Sequence, residues 1–187
     1  MFKFLMIAAI IVSLGVSYEV ICQDSSQRTQ ELAAALDKTK YKKKEKKKEN
    51  VNISIEMYVD VKNQPIVKSN PAEYSGSYRG EDANYQLDIQ VAPNGSATGS
   101  GRDLVDFDNG MARSFTLHDG QVHGALLTAT KVYDNGQTEK FEAIFTNRTV
   151  STGKNAETIE NRDTTFGLGF IQSHGNDWTN RVFLERR

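Results

Sequence analysis

"SFTLHDGQVHGALLTATKVYDNGQTEKFEAIF", from Ser114 to Phe145, decides the fold of this chain. Asp-Gly and Asn-Gly pairs reach positive φ at low cost and are the strongest short-range hairpin signals. Taken as two-residue turns, Asp119-Gly120 and Asn135-Gly136 set two registers independently. The first gathers Phe115, Leu117, Val122 and Leu126 on one face, and Thr116, His118, Gln121 and His123 on the other. The second puts Thr130 opposite Phe141, Thr128 opposite Ala143 and Leu126 opposite Phe145. Leu126 falls on the apolar face in both, and that agreement argues for consecutive antiparallel hairpins.

The same grammar extends in both directions. "ISIEMYVDV" (residues 53–61) and "NYQLDIQV" (residues 84–91) alternate apolar and polar residues with the period of a half-buried strand. "PNGS" and "SHGND" supply further turns. With Asn94-Gly95 as a two-residue turn, Leu87, Ile89 and Val91 face Arg102, Ser100 and Thr98. The last pair, "TTFGLGFIQ" and "DWTNRVFLERR", is apolar on both sides, as a strand pair is when it is covered twice or lies at a closure. The class expected is all-β: an antiparallel up-and-down meander of about eight strands closed into a small barrel, with a two-sheet sandwich as the alternative.

"GSY" (Gly76, Ser77, Tyr78) opens this region and Arg181 lies on its last strand. The pairing resembles calycin barrels, the group of lipocalins and avidins, whose G-x-W signature packs an aromatic ring against an Arg of the last strand. Tyr stands here for Trp, and the second lipocalin signature is not found. The resemblance implies a calycin/lipocalin-like barrel with an interior able to take a ligand.

The amino-terminal residues differ in kind. "MFKFLMIAAIIVSLGVSYEVICQ" carries one lysine, then an apolar run from Phe4 to Val16 that Glu19 closes, the order of a secretory signal over residues 1–22. The expectation is an exported chain, periplasmic, envelope-bound or secreted, held at the membrane if the segment stays on as an anchor. Cys22 is the only cysteine, so the region beyond it has no disulfide, thiol nucleophile or Cys-based metal site. Residues 1–50 hold ten Lys or Arg against six acids, a balance of +4, and residues 51–187 hold thirteen against eighteen, a balance of -5. A mildly acidic body lacks the field needed to grip phosphates, and "KYKKKEKKKEN" lacks Arg for bidentate contacts, so nucleic acid is not an expected partner. Residues 23–50, free of Gly and Pro, read as a charged helical or disordered linker, a Lys-rich stalk before a β-domain at residues 51–187. The stalk either spaces the domain from a surface or touches an anionic membrane or envelope polymer.

For a site, the registers turn Arg102, Arg113, Thr128, Thr130, Phe141 and Phe145 inward, where an Arg must be paired or must meet an anionic ligand. His118 and His123 come out diagonal across a hairpin on the solvated face, where a metal would need a third ligand from elsewhere. Asp103, Asp106, Asp108 and Asn109 form an oxygen-rich loop without EF-hand spacing. No catalytic triad, phosphate loop or dinucleotide fingerprint occurs, and no catalytic residue, metal or cofactor is assigned. The expected function is a non-enzymatic β-barrel binding module for a small, partly apolar ligand or a partner's surface. The alternative is an exported enzyme, or an inhibitor of one, acting through loops.

Overall fold

The computed structural model describes residues 24–48, 51–81, 83–106, 110–174 and 178–187. The apolar run of residues 1–22, and Asp108 and Asn109 of the acidic loop, lie outside them. A helix, α1, covers residues 24–36. Ten strands follow: β1 (Lys38–Lys48), β2 (Val51–Pro65), β3 (Gly76–Arg79), β4 (Gln86–Val91), β5 (Ser96–Asp106), β6 (Met111–His123), β7 (Leu126–Tyr133), β8 (Thr138–Gly153), β9 (Ile159–His174) and β10 (Trp178–Arg186).

Strands β3 to β10 each pair antiparallel with the next, and β10 returns to β3 through Glu185↔Arg79 and Arg186↔Tyr78. The result is a closed eight-stranded up-and-down barrel, which leaves those strands no free edge. β8 is longer than the barrel is tall. Leu126–Val132 of β7 pair with its residues Thr138–Ile144. Tyr58–Pro65 of β2 take over from Thr146 to Gly153.

Strand alternation divides the apolar residues. Leu87, Ile89, Val91, Phe115, Leu117, Val122, Leu127, Phe141, Phe145, Leu168, Phe170, Val182 and Leu184 form the interior cluster. Leu126 and Ile144 belong to a second cluster outside the wall, where Leu32, Ala33 and Leu36 of α1 cover them with Ile171. This accounts for a final strand pair apolar on both sides. Phe166, Leu168, Phe170, Val182 and Leu184 join the core, while Phe183 and Ile171 lie outside it.

The loops decide three corrections. Asn94-Gly95 and Asn135-Gly136 end three-residue loops, not two-residue ones. Ala92 N–H donates to Ser96 O and Gly95 N–H to Ala92 O, and Tyr133, Gly136 and Gln137 repeat the pattern, with φ of 85° and 83° at the glycines. This is a turn closed by a left-handed glycine, the G1 bulge. One extra loop residue slips the register by one and exchanges the faces of one strand. Gln86 therefore pairs with Arg102, and Ala129 with Phe141. Asp119-Gly120 is no turn at all. β6 runs through it, with a register break between His118 and Gln121 and Asp119 at φ 52°, and the chain reverses at Gly124-Ala125. Because the bulge also consumes one residue, Val122 still points inward with Phe115 and Leu117.

The amino-terminal part differs from a free helical stalk. α1 is helical as expected but seated: Leu32, Ala33 and Leu36 are buried, Arg28 bonds Glu142 through Nε (2.9 Å) and Nη2 (2.6 Å), and Arg181 Nε donates to Ala35 O at 2.6 Å. Gly169 makes room for it, since a Cβ there would meet Leu36 Cδ1 at 2.7 Å. Beyond α1, Lys38–Lys48 is a strand paired with Val51–Val61. Its alternating partner, not its own helix propensity, fixes that conformation.

Candidate functional site in the barrel interior

The odd residues of β7, Leu127, Ala129, Lys131 and Tyr133, point into the barrel, which brings a lysine into the core. Lys131 is 1% exposed, and so is Asp103 of β5. Their Nζ and Oδ2 atoms are 2.5 Å apart. Three rings wall the ammonium: the centroids of Phe115, Phe141 and Phe170 lie 4.8, 4.4 and 5.0 Å from Nζ. A cation in such a cage gains from each ring's negative face while water is excluded. Tyr133 hydroxyl donates to Glu139 Oε2 at 2.7 Å and lies 3.3 Å from Asp103 Oδ2. Burial, followed by the two carboxylates, pushes this phenol well above its ordinary range.

A second set of polar groups braces the same level. Gln172, next inward on β9 after Phe170, donates through Nε2 to Leu104 O and accepts from Tyr85 hydroxyl at Oε1, both at 2.9 Å. Asn180 Nδ2 donates to that hydroxyl at 3.3 Å. One acceptor is left over: Asp103 Oδ1 is buried with no hydrogen-bond partner among the described residues. Burial raises the Asp103 carboxyl above the usual carboxylate range, against the pull of Lys131.

The opposite end of the barrel is closed by aromatic packing. The short 3-10 helix Pro71–Tyr74 lays the Tyr74 ring on Phe145, with centroids 4.0 Å apart and planes at 13°. Tyr74 hydroxyl accepts from Lys68 N–H at 2.7 Å and donates to Ile66 O at 2.7 Å. Tyr78 hydroxyl donates to Tyr74 O at 2.6 Å, and burial pushes that phenol up to about 12. The arginine beside this tyrosine is not Arg181, which reaches α1. It is Arg186, paired with Tyr78 across the closing strands and donating from Nη2 to Ser75 O at 2.8 Å.

The residues expected inside are thus divided. Phe141 and Phe145 do point inward, one at the lysine cage and one at the tyrosine end. Arg102 is exposed, and Thr128 and Thr130 stand on the outer face, as the slipped registers require. Thr98 is likewise exposed. Arg113 is half-buried near the barrel end and reaches Asp134 Oδ1 at 3.6 Å and Met111 Sδ at 3.7 Å, the geometry of an Arg stretching to the rim. His118 and His123 share one strand and are exposed, so they do not lie across a hairpin, and His118 Nε2 meets Thr116 Oγ1 at 3.0 Å. Asp103 leaves the acidic loop for the core. Among the described residues no group of three or more His, Cys, Asp or Glu could hold a metal ion.

Lys131 escaped the sequence reading. The signal was present, since Leu127, Ala129, Lys131 and Tyr133 alternate as regularly as Leu126, Thr128, Thr130 and Val132.

A pocket of about 410 Å³ opens over Asp88, Ser100, Ser114 and Thr116, with Phe115 and Tyr133 in its lining. Among the described residues no helix is long and apolar enough to cross a membrane. The fold and site define a closed eight-stranded β-barrel with a caged ion pair inside one end. No family model matches the chain, and no curated protein or solved structure proves similar to it.

Proposed function

We propose that the chain is an exported, non-catalytic β-barrel binding module whose ligand is small, partly apolar and carries a neutral N–H or O–H donor. Export rests on the order of residues 1–22, one lysine, an apolar run and then polar residues. Binding rests on one observation, the buried Asp103 Oδ1 that has no hydrogen-bond partner among the described residues. A buried acceptor without a donor carries a desolvation cost of about 1–3 kcal/mol, which a ligand donor recovers. The donor must be neutral, because a second cation at Oδ1 would face Lys131 through the same carboxylate. Rings from Phe115, Phe141 and Phe170 supply apolar surface around the Lys131 ammonium that Asp103 pairs with. An ion pair locked by a ring cage is built to hold a group rather than to move protons.

Native mass spectrometry of protein purified from its own host tests this, together with titration of a dansyl-labelled fatty alcohol against a dansyl-labelled fatty amine. The expected result is a retained mass or saturable alcohol binding, weakened about tenfold in Asp103→Asn, whose amide N–H would confront the ligand's donor. Absence of any retained mass together with equal indifference to both probes would overturn the reading. So would equal binding by Asp103→Asn.

A further inference from the structure

On the outer face of the wall β9 presents Thr165, Gly167 and Gly169, the row that continues to Ile171. The two glycines leave a trough, and residues of neighbouring elements fill it. A Cβ at Gly169 would meet Leu36 Cδ1 at 2.7 Å, and one at Gly167 would meet Phe183 Cζ at 2.6 Å. The Phe183 ring, half-buried on β10, therefore lies against β9, with the Arg148 guanidinium carbon 5.1 Å from its centroid. Arg148 stands on β8 between Asn63 of β2 and Thr165 of β9, and directly paired residues share a face.

Arg148 is half-buried, yet beyond that ring its guanidinium has no hydrogen bond or ion pair among the described residues. Arg181 spends only Nε, on Ala35 O at 2.6 Å. The two arginines and Phe183 line two pockets that share them, of about 200 and 130 Å³. Lys38 joins the smaller with Leu36 and Asn63, and no acid lines it, whereas Glu81 lines the larger. Asp37, next to Lys38 in the chain, is engaged elsewhere: it accepts from Asn63 N–H at 2.7 Å and lies 3.5 Å from Lys62 Nζ. Three cations thus meet at one place on an acidic body, and within a Debye length of about 8–10 Å they outweigh its distant charges.

We propose that Arg148, Arg181 and Lys38 form a binding site for a phosphate group on the outer wall, separate from Asp103 and the barrel interior. Size and charge select the ligand. Whole drug-sized molecules need pockets of about 300 Å³ or more, so each of these takes a charged group rather than a complete ligand. Three cations and no acid in the smaller pocket suit a dianion, and a single carboxylate would leave two of them uncompensated. A guanidinium fork takes two phosphate oxygens at once, and the Phe183 ring restrains that of Arg148 before the anion arrives. Inorganic phosphate and a phosphomonoester headgroup share this chemistry.

Isothermal titration calorimetry of the full chain tests the proposal with inorganic phosphate, acetate and dihexanoyl phosphatidic acid, in mildly alkaline buffer where phosphate is a dianion. Saturable heat is expected from phosphate and not from acetate. Arg148→Gln and Lys38→Gln should each weaken phosphate binding about tenfold, the loss of one charge-assisted contact. Arg102→Gln, exposed on β5, should change it by less than about twofold. Arg148 holds no polar partner among the described residues and Lys38 is exposed, so both variants should keep the urea midpoint of the wild type, which separates lost binding from lost structure. Tighter binding of the phosphatidic acid, with the same dependence on Arg148, would assign the site to a lipid headgroup, and equal or weaker binding to phosphate itself. Acetate binding as well as phosphate, no saturable heat from either phosphate compound, or an equal loss in Arg102→Gln would overturn the proposal.

Discussion

Asp103 is asked to be an ion-pair partner and a buried acid at once, and pH separates the two. Its carboxyl is held above the ordinary range by burial, so the folded chain binds that proton more tightly than the unfolded chain does. The stability it contributes is full below the unfolded value, near 3.9 for an Asp, and is lost as pH rises through the folded one. The stability difference between wild type and Asp103→Asn should therefore shrink as pH climbs from about 3 and level off beyond the raised value. Urea denaturation across pH reads it, and a difference that grows with pH would show a carboxyl stabilised by Lys131 more than it is penalised by burial. Two neighbours report on packing alone. Phe141→Ala opens the ring cage and Phe145→Ala removes the ring under Tyr74, each at a cost of about 3–5 kcal/mol. His118→Ala, exposed on the wall, should stay within about half a kcal/mol in the same experiment.

Among the elements, α1 is held by little: three buried apolar residues beside a buried Thr29, one ion pair to Glu142 and the Arg181 bond to Ala35 O. Its seat exists because Gly169 has no side chain. Gly169→Val should push Leu36 out and cost about 1–3 kcal/mol by overpacking, released as loss of the helix rather than of the barrel. Hydrogen exchange is the check: amides of residues 29–36 should lose protection while those of β4 to β7 keep theirs. Unchanged exchange in 29–36 would mean that the helix rests elsewhere. Local pattern reached these elements unevenly. The strand periods and the helix propensity of residues 24–36 could be read directly. That α1 is seated could not, because its three apolar residues look too few until Leu126, Ile144 and Ile171 are known to wait outside the wall.

At the scale of the molecule, alternation and turn chemistry were enough for an antiparallel meander closed at about eight strands. They were not enough for the interior, because loop length sets parity, and Asp134-Asn135-Gly136 reads equally well as two turn residues or three. That single residue moved Thr128 and Thr130 outside and Lys131 inside. Phe141 and Phe145 kept their side since they lie on β8, whose own alternation is unambiguous. The caged pair is therefore the point on which register, closure and the binding site all depend. A double-mutant cycle on Lys131→Met and Asp103→Leu, followed by chemical denaturation, tests it most directly. Each single change should cost about 3–5 kcal/mol by stranding a buried charge, and the double should regain much of that loss. Two single effects within about half a kcal/mol that simply add would place the pair in solvent and contradict the register.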